Sequence, residues 1–362
     1  MLRIRSTLLL SALLPPLVLI GCAAPQTRAP SLNNASMDAE TRKQQELVVE
    51  DYMSNYKKLQ NVSSRIVTNS TDLCGDKVAG YYGFNYWNQD GFKPAWKEIT
   101  KSKYSLDEKF KILNIVEKSP ADKASLKEGD VLVSINHWLV PVGKDADKQL
   151  AQKLAEQAKS LGPVELAVLR DGAEQKVSIT PVKSCDFQVH LAADDVKNAY
   201  ADGTNIVMYK GLMDFFKTDE EMALVLSHEL AHNTMKHIEA KKKNATTGGV
   251  LGLLLDIAAA TAGVNTNGDF SRMGAGIAGN AYSVEFEQEA DYVGLYIMQK
   301  SGFNIDNAAG FWRRMAVNNS QAITIKSSHP TTPQRFVAIE ETVKEIKGKI
   351  EKGVALSPEL KK

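Results

Sequence analysis

Apolar residues recur at helical spacing in three stretches of the chain. In residues 38–60 they are Leu47, Val48, Tyr52, Tyr56 and Leu59, which predicts one amphipathic helix leading into the fold. Residues 219–237 read DEEMALVLSHELAHNTMKH, with Met222, Leu224, Val225, Leu226, Leu230 and Met235 in helical register. Residues 281–298, AYSVEFEQEADYVGLYIM, are again helical with an apolar face. Strand signals lie between these stretches. Phe110–Val116 is a short apolar run, and Val164–Arg170 and Gln175–Thr180 alternate around Asp171-Gly172, a hairpin signal. Residues 75–103 are rich in Gly and Tyr and show no clear period. The 17-residue apolar run Gly248–Val264 carries Asp256 at its centre. As a membrane span it is short and its charge is costly, so it reads as a lid or packed helical hairpin.

The N-terminus has a different pattern. Arg3 and Arg5 precede the apolar stretch Leu8–Ile20, which Pro15-Pro16 interrupts, giving the layout of a signal peptide over residues 1–21. Leu19-Ile20-Gly21-Cys22 resembles the bacterial lipobox, in which cleavage falls before the cysteine and that residue carries the lipid. The resemblance implies a lipidated Cys22 and a membrane anchor without a spanning helix. Ala23 follows, where an Asp would mark retention in the inner membrane, so the expected address is the outer membrane, periplasmic face. Residues 22–40 read as a flexible tether.

Composition narrows the classes. The 362 residues are 43% hydrophobic and 24% charged, a globular profile of about two domains. The 44 basic and 43 acidic side chains nearly cancel, which disfavours a nucleic-acid partner held by bulk charge. Three cysteines cannot build a disulfide-rich scaffold or a four-cysteine metal cluster. With Cys22 acylated, Cys74 and Cys185 remain; in an oxidising compartment they suggest one disulfide rather than two separate buried thiols.

Inside the second apolar helix lies His228-Glu229-Leu230-Ala231-His232. Histidines four apart share one helical face, about 6 Å apart, so both imidazoles can reach one Zn²⁺ ion. Glu229 stands beside that ion, as a general base needs. A catalytic zinc takes a third protein ligand, which Asp, Glu or a third His could supply. In the next helix Glu287 and Asp291 lie four apart; one carboxylate can ligate while the other orients a ligand's second nitrogen. Other signals are set aside. Gly274–Gly279 fits GxGxxG but follows no predicted strand. His237 sits about 140° round the helix from His232 and reads as structural; His137 and His190 look ordinary, and Lys241–Lys243 a solvated turn.

Two family resemblances then organise the chain. Ser119–Asn136, SPADKASLKEGDVLVSIN, is similar to the PDZ signature of bacterial proteases, with Asp147–Ser160 as the groove helix. This implies a peptide ligand added along a sheet edge, with the carboxylate-binding loop expected just before Phe110, where Tyr104–Lys109 shows no clear signature. His228–His232 followed by Glu287-Gln288-Glu289-Ala290-Asp291 resembles the zinc metalloendopeptidases related to the heat-shock protease HtpX and the CaaX prenyl endopeptidase. Asn198–Gly203, Ile206–Leu212, and Ser328-His329-Pro330 with Arg335 match further elements of that family. The resemblance maps Glu287 to third ligand and Asp291 to the carboxylate behind a ligand histidine. His329 and Arg335 become donors to the reacting carbonyl. Alternatively His329 occupies the open zinc position in a resting form, and Arg335 pairs with Asp291 or Glu289. The strand Asn205–Tyr209 is expected as a sheet edge that takes extended substrate.

The expected fold is α+β. A zincin-type metallopeptidase domain (residues 41–103 and 184–362) is interrupted by a PDZ-like β-rich domain at 104–183, whose base the Cys74–Cys185 bridge would pin. The expected activity is zinc-dependent hydrolysis of unfolded or misassembled envelope proteins, with Glu229 as base. The second reading is a client-binding or assembly factor with latent proteolysis.

Overall fold

The computed structural model describes residues 27–28, 30–261, 272, 283–318, 329, 332–359 and 361. The signal-like segment 1–21, Cys22, the glycine motif 274–279, Ser328 and Pro330 lie outside the described residues. The chain divides into two units, Met1–Lys43 and Gln44–Lys362. In the first, the described chain enters helix α1 (Asn34–Asn69), where the Asn33 Oδ1 accepts from the Ser36 N–H at 2.8 Å and supplies the cap.

All that follows belongs to the second unit. There α1 buries Val49, Met53, Leu59, Val62 and Ile66, so the apolar stripe runs beyond the predicted end at residue 60. Strand β1 (Val78–Tyr81) pairs antiparallel with β8 (Val182–Cys185), placing Val78 opposite Cys185. A disulfide joins Cys74 to Cys185, Cα atoms 5.6 Å apart, where the chain enters and leaves the inserted module. In the chain-entropy account, closing this loop is worth about 4–5 kcal/mol.

The module is a six-stranded sheet. Its order is β2 (Phe84–Trp87), β3 (Lys111–Ile115), β4 (Val131–Ile135), β6 (Val164–Arg170), β7 (Ala173–Ile179), with β5 (Trp138–Leu139) on β4. Asp171 and Gly172 turn β6 into β7 with φ 51° and 81°, the backbone that a two-residue hairpin demands. Helices α3 (Pro120–Lys123) and α4 (Ala146–Ser160) cover the sheet around Phe110, Ile112, Leu150, Leu166 and Ile179. The Gly-Asp step of the signature has a structural purpose. Asp130 is buried, accepts from the Lys127 N–H at 2.9 Å and binds Arg170 through both oxygens.

The sheet reaches further toward the N-terminus than the boundary expected at 104. One edge strand is β2, preceded by Gly80–Gly83. The expected position of the carboxylate-binding loop, Tyr104–Lys109, instead ends α2 (Pro94–Tyr104) and packs with Leu106 and Ile99 on α1. The insertion between β2 and β3 separates two neighbouring strands in sequence, so periodicity alone could not pair them.

The remaining chain builds a three-stranded sheet and the helices around it. β11 (Asn205–Tyr209) pairs antiparallel with β10 (Ala199–Ala201) and parallel with β9 (Gln188–Ala192). It is therefore the central strand, not the expected edge. The Asp202 carboxylate accepts from the Thr204 and Asn205 N–H groups at 2.8 and 2.7 Å, closing a tight turn that folds β10 onto the outside. Short α5 (Lys210–Met213) leads to α6 (Asp219–Thr234), α7 (His237–Thr261), α8 (Ser283–Lys300), α9 (Ala308–Asn318) and α10 (Pro333–Glu351). Helix α6 is buried from Met222 to Asn233 on every face, a core helix rather than an amphipathic one. The architecture is α+β. No helix among the described residues is long and apolar enough to cross a membrane.

Candidate metal centre

Helix α6 is set at both ends. Thr218 caps it, its hydroxyl accepting from the Glu221 N–H, while Glu221 reaches back to the Lys217 N–H at 2.7 Å. Glu221 also takes Arg314 of α9 bidentately, at 2.6 Å twice. At the other end the Asn233 Oδ1 accepts from the Gly203 N–H at 2.8 Å, tying the helix to the β10–β11 turn. Between these ties α6 crosses α8 almost backbone to backbone. A Cβ on Gly294 would stand 3.1 Å from the His228 nitrogen and 3.2 Å from its Cα. Both are main-chain atoms of a core helix and cannot swing aside. Gly294→Ala is therefore expected to cost about 1–3 kcal/mol of stability and to shift His228 from Glu287. Urea unfolding and zinc titration of the variant measure the two effects.

The crossing brings donors from two helices to one point. The His228 and His232 Nε2 atoms are 3.1 Å apart. Each lies 3.3 Å from an oxygen of Glu287 on α8. The His329 Nδ1 lies 2.9 Å from Glu287 Oε2 and 3.3 Å from His228 Nε2. All four ligand atoms fall within 4.8 Å of one another. Ligands about 2.0–2.1 Å from a tetrahedral zinc stand about 3.3 Å apart along each edge, close to the 3.1–3.3 Å separations among His228, His232 and Glu287. Glu287 is fully buried, and an unpaired carboxylate there would be expensive. The donor set and its spacing fit one zinc ion.

Outer contacts fix the ligands. The His228 Nδ1 lies 3.0 Å from Asp291 Oδ1. Asp291 takes Arg335 of α10 on both oxygens, at 2.7 and 2.8 Å, and the Arg335 Nη1 lies 3.3 Å from Glu287. Of the two sequence expectations for Arg335, this geometry favours the pair with Asp291. Glu289 instead meets His237, whose other nitrogen meets His232. The offset of about 140° between His237 and His232 holds only for an unbroken helix. The helix ends at Thr234 with Met235 as its cap, and Lys236, in the left-handed region at φ 57°, turns His237 back onto His232. Trp312, on α9, was also missed; its ring lies 5.3 Å from that of His228 and 5.3 Å from the Arg335 guanidinium.

Electrostatics separates the two histidines. Burial opposes charge on His228, but the Asp291 and Glu287 carboxylates outweigh it and lift its pKa to about 9. Burial dominates at His232 and pushes it to about 3, so that imidazole stays neutral, as ligation requires. Burial also opposes charge on Glu287, yet the three histidines around it hold its pKa well below the usual carboxylate range. Glu229 is buried, with Oε2 unpartnered among the described residues and Oε1 3.5 Å from the His329 Nε2.

Comparison with known families agrees with this geometry. Residues 168–343 match the family described as Peptidase family M48, and residues 90–180 match the PDZ domain. The mitochondrial metalloendopeptidase OMA1 of Schizosaccharomyces pombe is 27% identical over 217 residues, 58% of this chain and 62% of that protein. The β-barrel assembly-enhancing protease of Yersinia pestis is 33% identical over 139 residues, 36% of this chain and 28% of that protein. Metalloprotease YcaL of Escherichia coli K12 is 26% identical over 224 residues, 61% and 82%. The chain thus spans less than two thirds of the first two relatives. Fold, donor set and family matches point the same way: residues 168–343 are similar to family M48 peptidases, residues 90–180 to PDZ domains, and the four donors could hold one metal ion.

Proposed function

We propose that this protein is a lipid-anchored periplasmic zinc metalloendopeptidase that hydrolyses peptide bonds in unfolded or misassembled envelope proteins. The observation that carries the reading is the meeting of His228, His232 and Glu287 beside a buried Glu229 carboxylate with one unpartnered oxygen. Zinc in this site would lower the pKa of a water toward about 7 and polarise the scissile carbonyl. Glu229 takes the proton from the attacking water and passes it to the leaving amine. Asp291 and Arg335 keep His228 oriented. His329 fills the fourth corner of the donor set and withdraws when substrate enters, so the described arrangement is a resting one.

Further parts of the reading rest on sequence and relatives. Within family M48 the motifs resemble the branch of HtpX and the CaaX prenyl endopeptidase, in a PDZ-containing lipoprotein form. Lipidation at Cys22 would hold the protein on the outer membrane, periplasmic face. The relatives named for β-barrel assembly support envelope proteins as substrate class. β10, the outer strand nearest α6, is the edge for extended substrate, and the PDZ-like sheet would take a peptide end along its edge strand β2. The domain limits proposed are 1–21, 22–40, 41–103, 104–183 and 184–362, with the module's sheet drawing in Phe84–Trp87.

Metal removal tests the proposal. Incubated with an unfolded protein, the purified full chain is expected to yield fragments. Treatment with a chelator should abolish them, and one equivalent of Zn²⁺ should restore them. A client bound but intact under all three conditions would favour the assembly-factor reading instead.

A further inference from the structure

The two ligand histidines are held by different devices. His228 meets a carboxylate directly, through Asp291. On its Nδ1 side His232 does not: this atom lies 2.9 Å from the Nδ1 of His237, and the His237 Nε2 lies 2.9 Å from Oε2 of Glu289. We propose that His237 and Glu289 form a positioning relay that fixes the ring orientation and tautomer of His232 for metal binding. The inference rests on the zinc reading above and adds two residues to it.

The direction of the relay follows from the donors. His232 turns Nε2 toward His228 and Glu287, so this nitrogen must lack a proton to ligate. Its proton then resides on Nδ1 and is donated to His237. His237 therefore accepts on Nδ1 and carries its own proton on Nε2, which it donates to Glu289. One tautomer of each ring satisfies every bond, and the opposite tautomer of His237 would set two N–H groups against each other. The His237 ring is buried and stacks on Phe286, centroids 4.6 Å apart and planes at 21°, so it has one orientation in which to do this. The Glu289 side chain is half-exposed to water. The negative end is thus brought to His232 without burying a further carboxylate, whose desolvation would be costly.

The helix α8 supplies the arrangement. Glu287, Glu289 and Asp291 alternate along it as ligand, outer anchor for His232 and outer anchor for His228. His237 can reach between the helices because α6 stops at Thr234, three residues earlier. A second partner on a ligating imidazole is commonly worth 10–100-fold in metal affinity.

Zinc affinity, measured by competition with a chromogenic chelator, tests the relay, together with the absorption spectrum of the Co²⁺ form and the melting temperature of each metal-free variant. His237→Leu is expected to weaken zinc about 10–100-fold and to alter the Co²⁺ bands. His237→Gln, whose amide oxygen can accept from His232, should recover most of the affinity. Glu289→Gln should fall between them with an unchanged metal-free melting temperature. Equal weakening by Leu and Gln, or no weakening by either, would overturn the relay. Absence of zinc binding by the wild-type chain would instead overturn the metal site itself, so the two failures are distinct.

Discussion

Glu229→Gln is expected to lower kcat for an unfolded substrate by about 10²–10⁴-fold while zinc still binds one to one, because that is the range removed with a positioned general base. The substitution is nearly isosteric and keeps an oxygen on the side chain. What it removes is the capacity to accept a proton and pass it on. Glu229 is not among the four donors that converge on the metal site. Its Oε2 has no partner among the described residues, and Oε1 sits 3.5 Å from His329. Stability and metal content should therefore change little, and the loss should fall on kcat rather than KM. Inductively coupled plasma analysis for zinc and peptide mass mapping of products measure the two sides. Loss of zinc from this variant would place Glu229 among the ligands. Unchanged cleavage would move the base elsewhere, with His329 the next group to test.

The metal helix is legible in sequence because its polar residues sit in a segment with no solvent-facing side. An apolar helix that still spends His228, Glu229 and His232 must satisfy them inside, and a shared ion does so. The hairpin at Asp171-Gly172 is legible for a similarly local reason, since left-handed backbone is demanded at both positions. What escaped the reading is non-local. The apolar run that marks β3 and the family resemblance that marks β11 do not tell which neighbours these strands choose. Thus β11 was expected at an edge and lies in the middle, and the β2 edge was hidden behind the 88–110 insertion. His237 was lost through one residue. A helical wheel assumes constant twist, and left-handed Lys236 breaks it. Trp312 carries no signal at all, because an aromatic residue in an apolar helix reads as core whether or not a metal site lies beyond it.

The second large effect is structural. Arg335→Met is expected to destabilise the metal-free protein by about 3–5 kcal/mol at pH 7, the usual cost of removing one member of a buried ion pair. That is a large share of the roughly 5–15 kcal/mol that holds a domain folded. Arg335 is 2% exposed and meets Asp291 through two hydrogen bonds and Glu287 at 3.3 Å. Met conserves much of the volume but leaves two buried carboxylates short of a cation. Burial opposes ionisation of Asp291, and Arg335 leads the groups that outweigh it, holding its pKa below the ordinary value. A depressed carboxylate pKa stabilises the fold above the unfolded value near 4, and this contribution is lost as pH falls through the folded value. The gap between wild type and variant should thus be widest near neutrality and shrink below about pH 4. Arg335→Lys keeps the charge without the two-pronged geometry and should fall between them. Urea unfolding of all three proteins at pH 7 and below pH 4 decides the matter. A gap under about 1 kcal/mol at pH 7 would mean that water reaches the pair and that Asp291 orients His228 without help from the arginine.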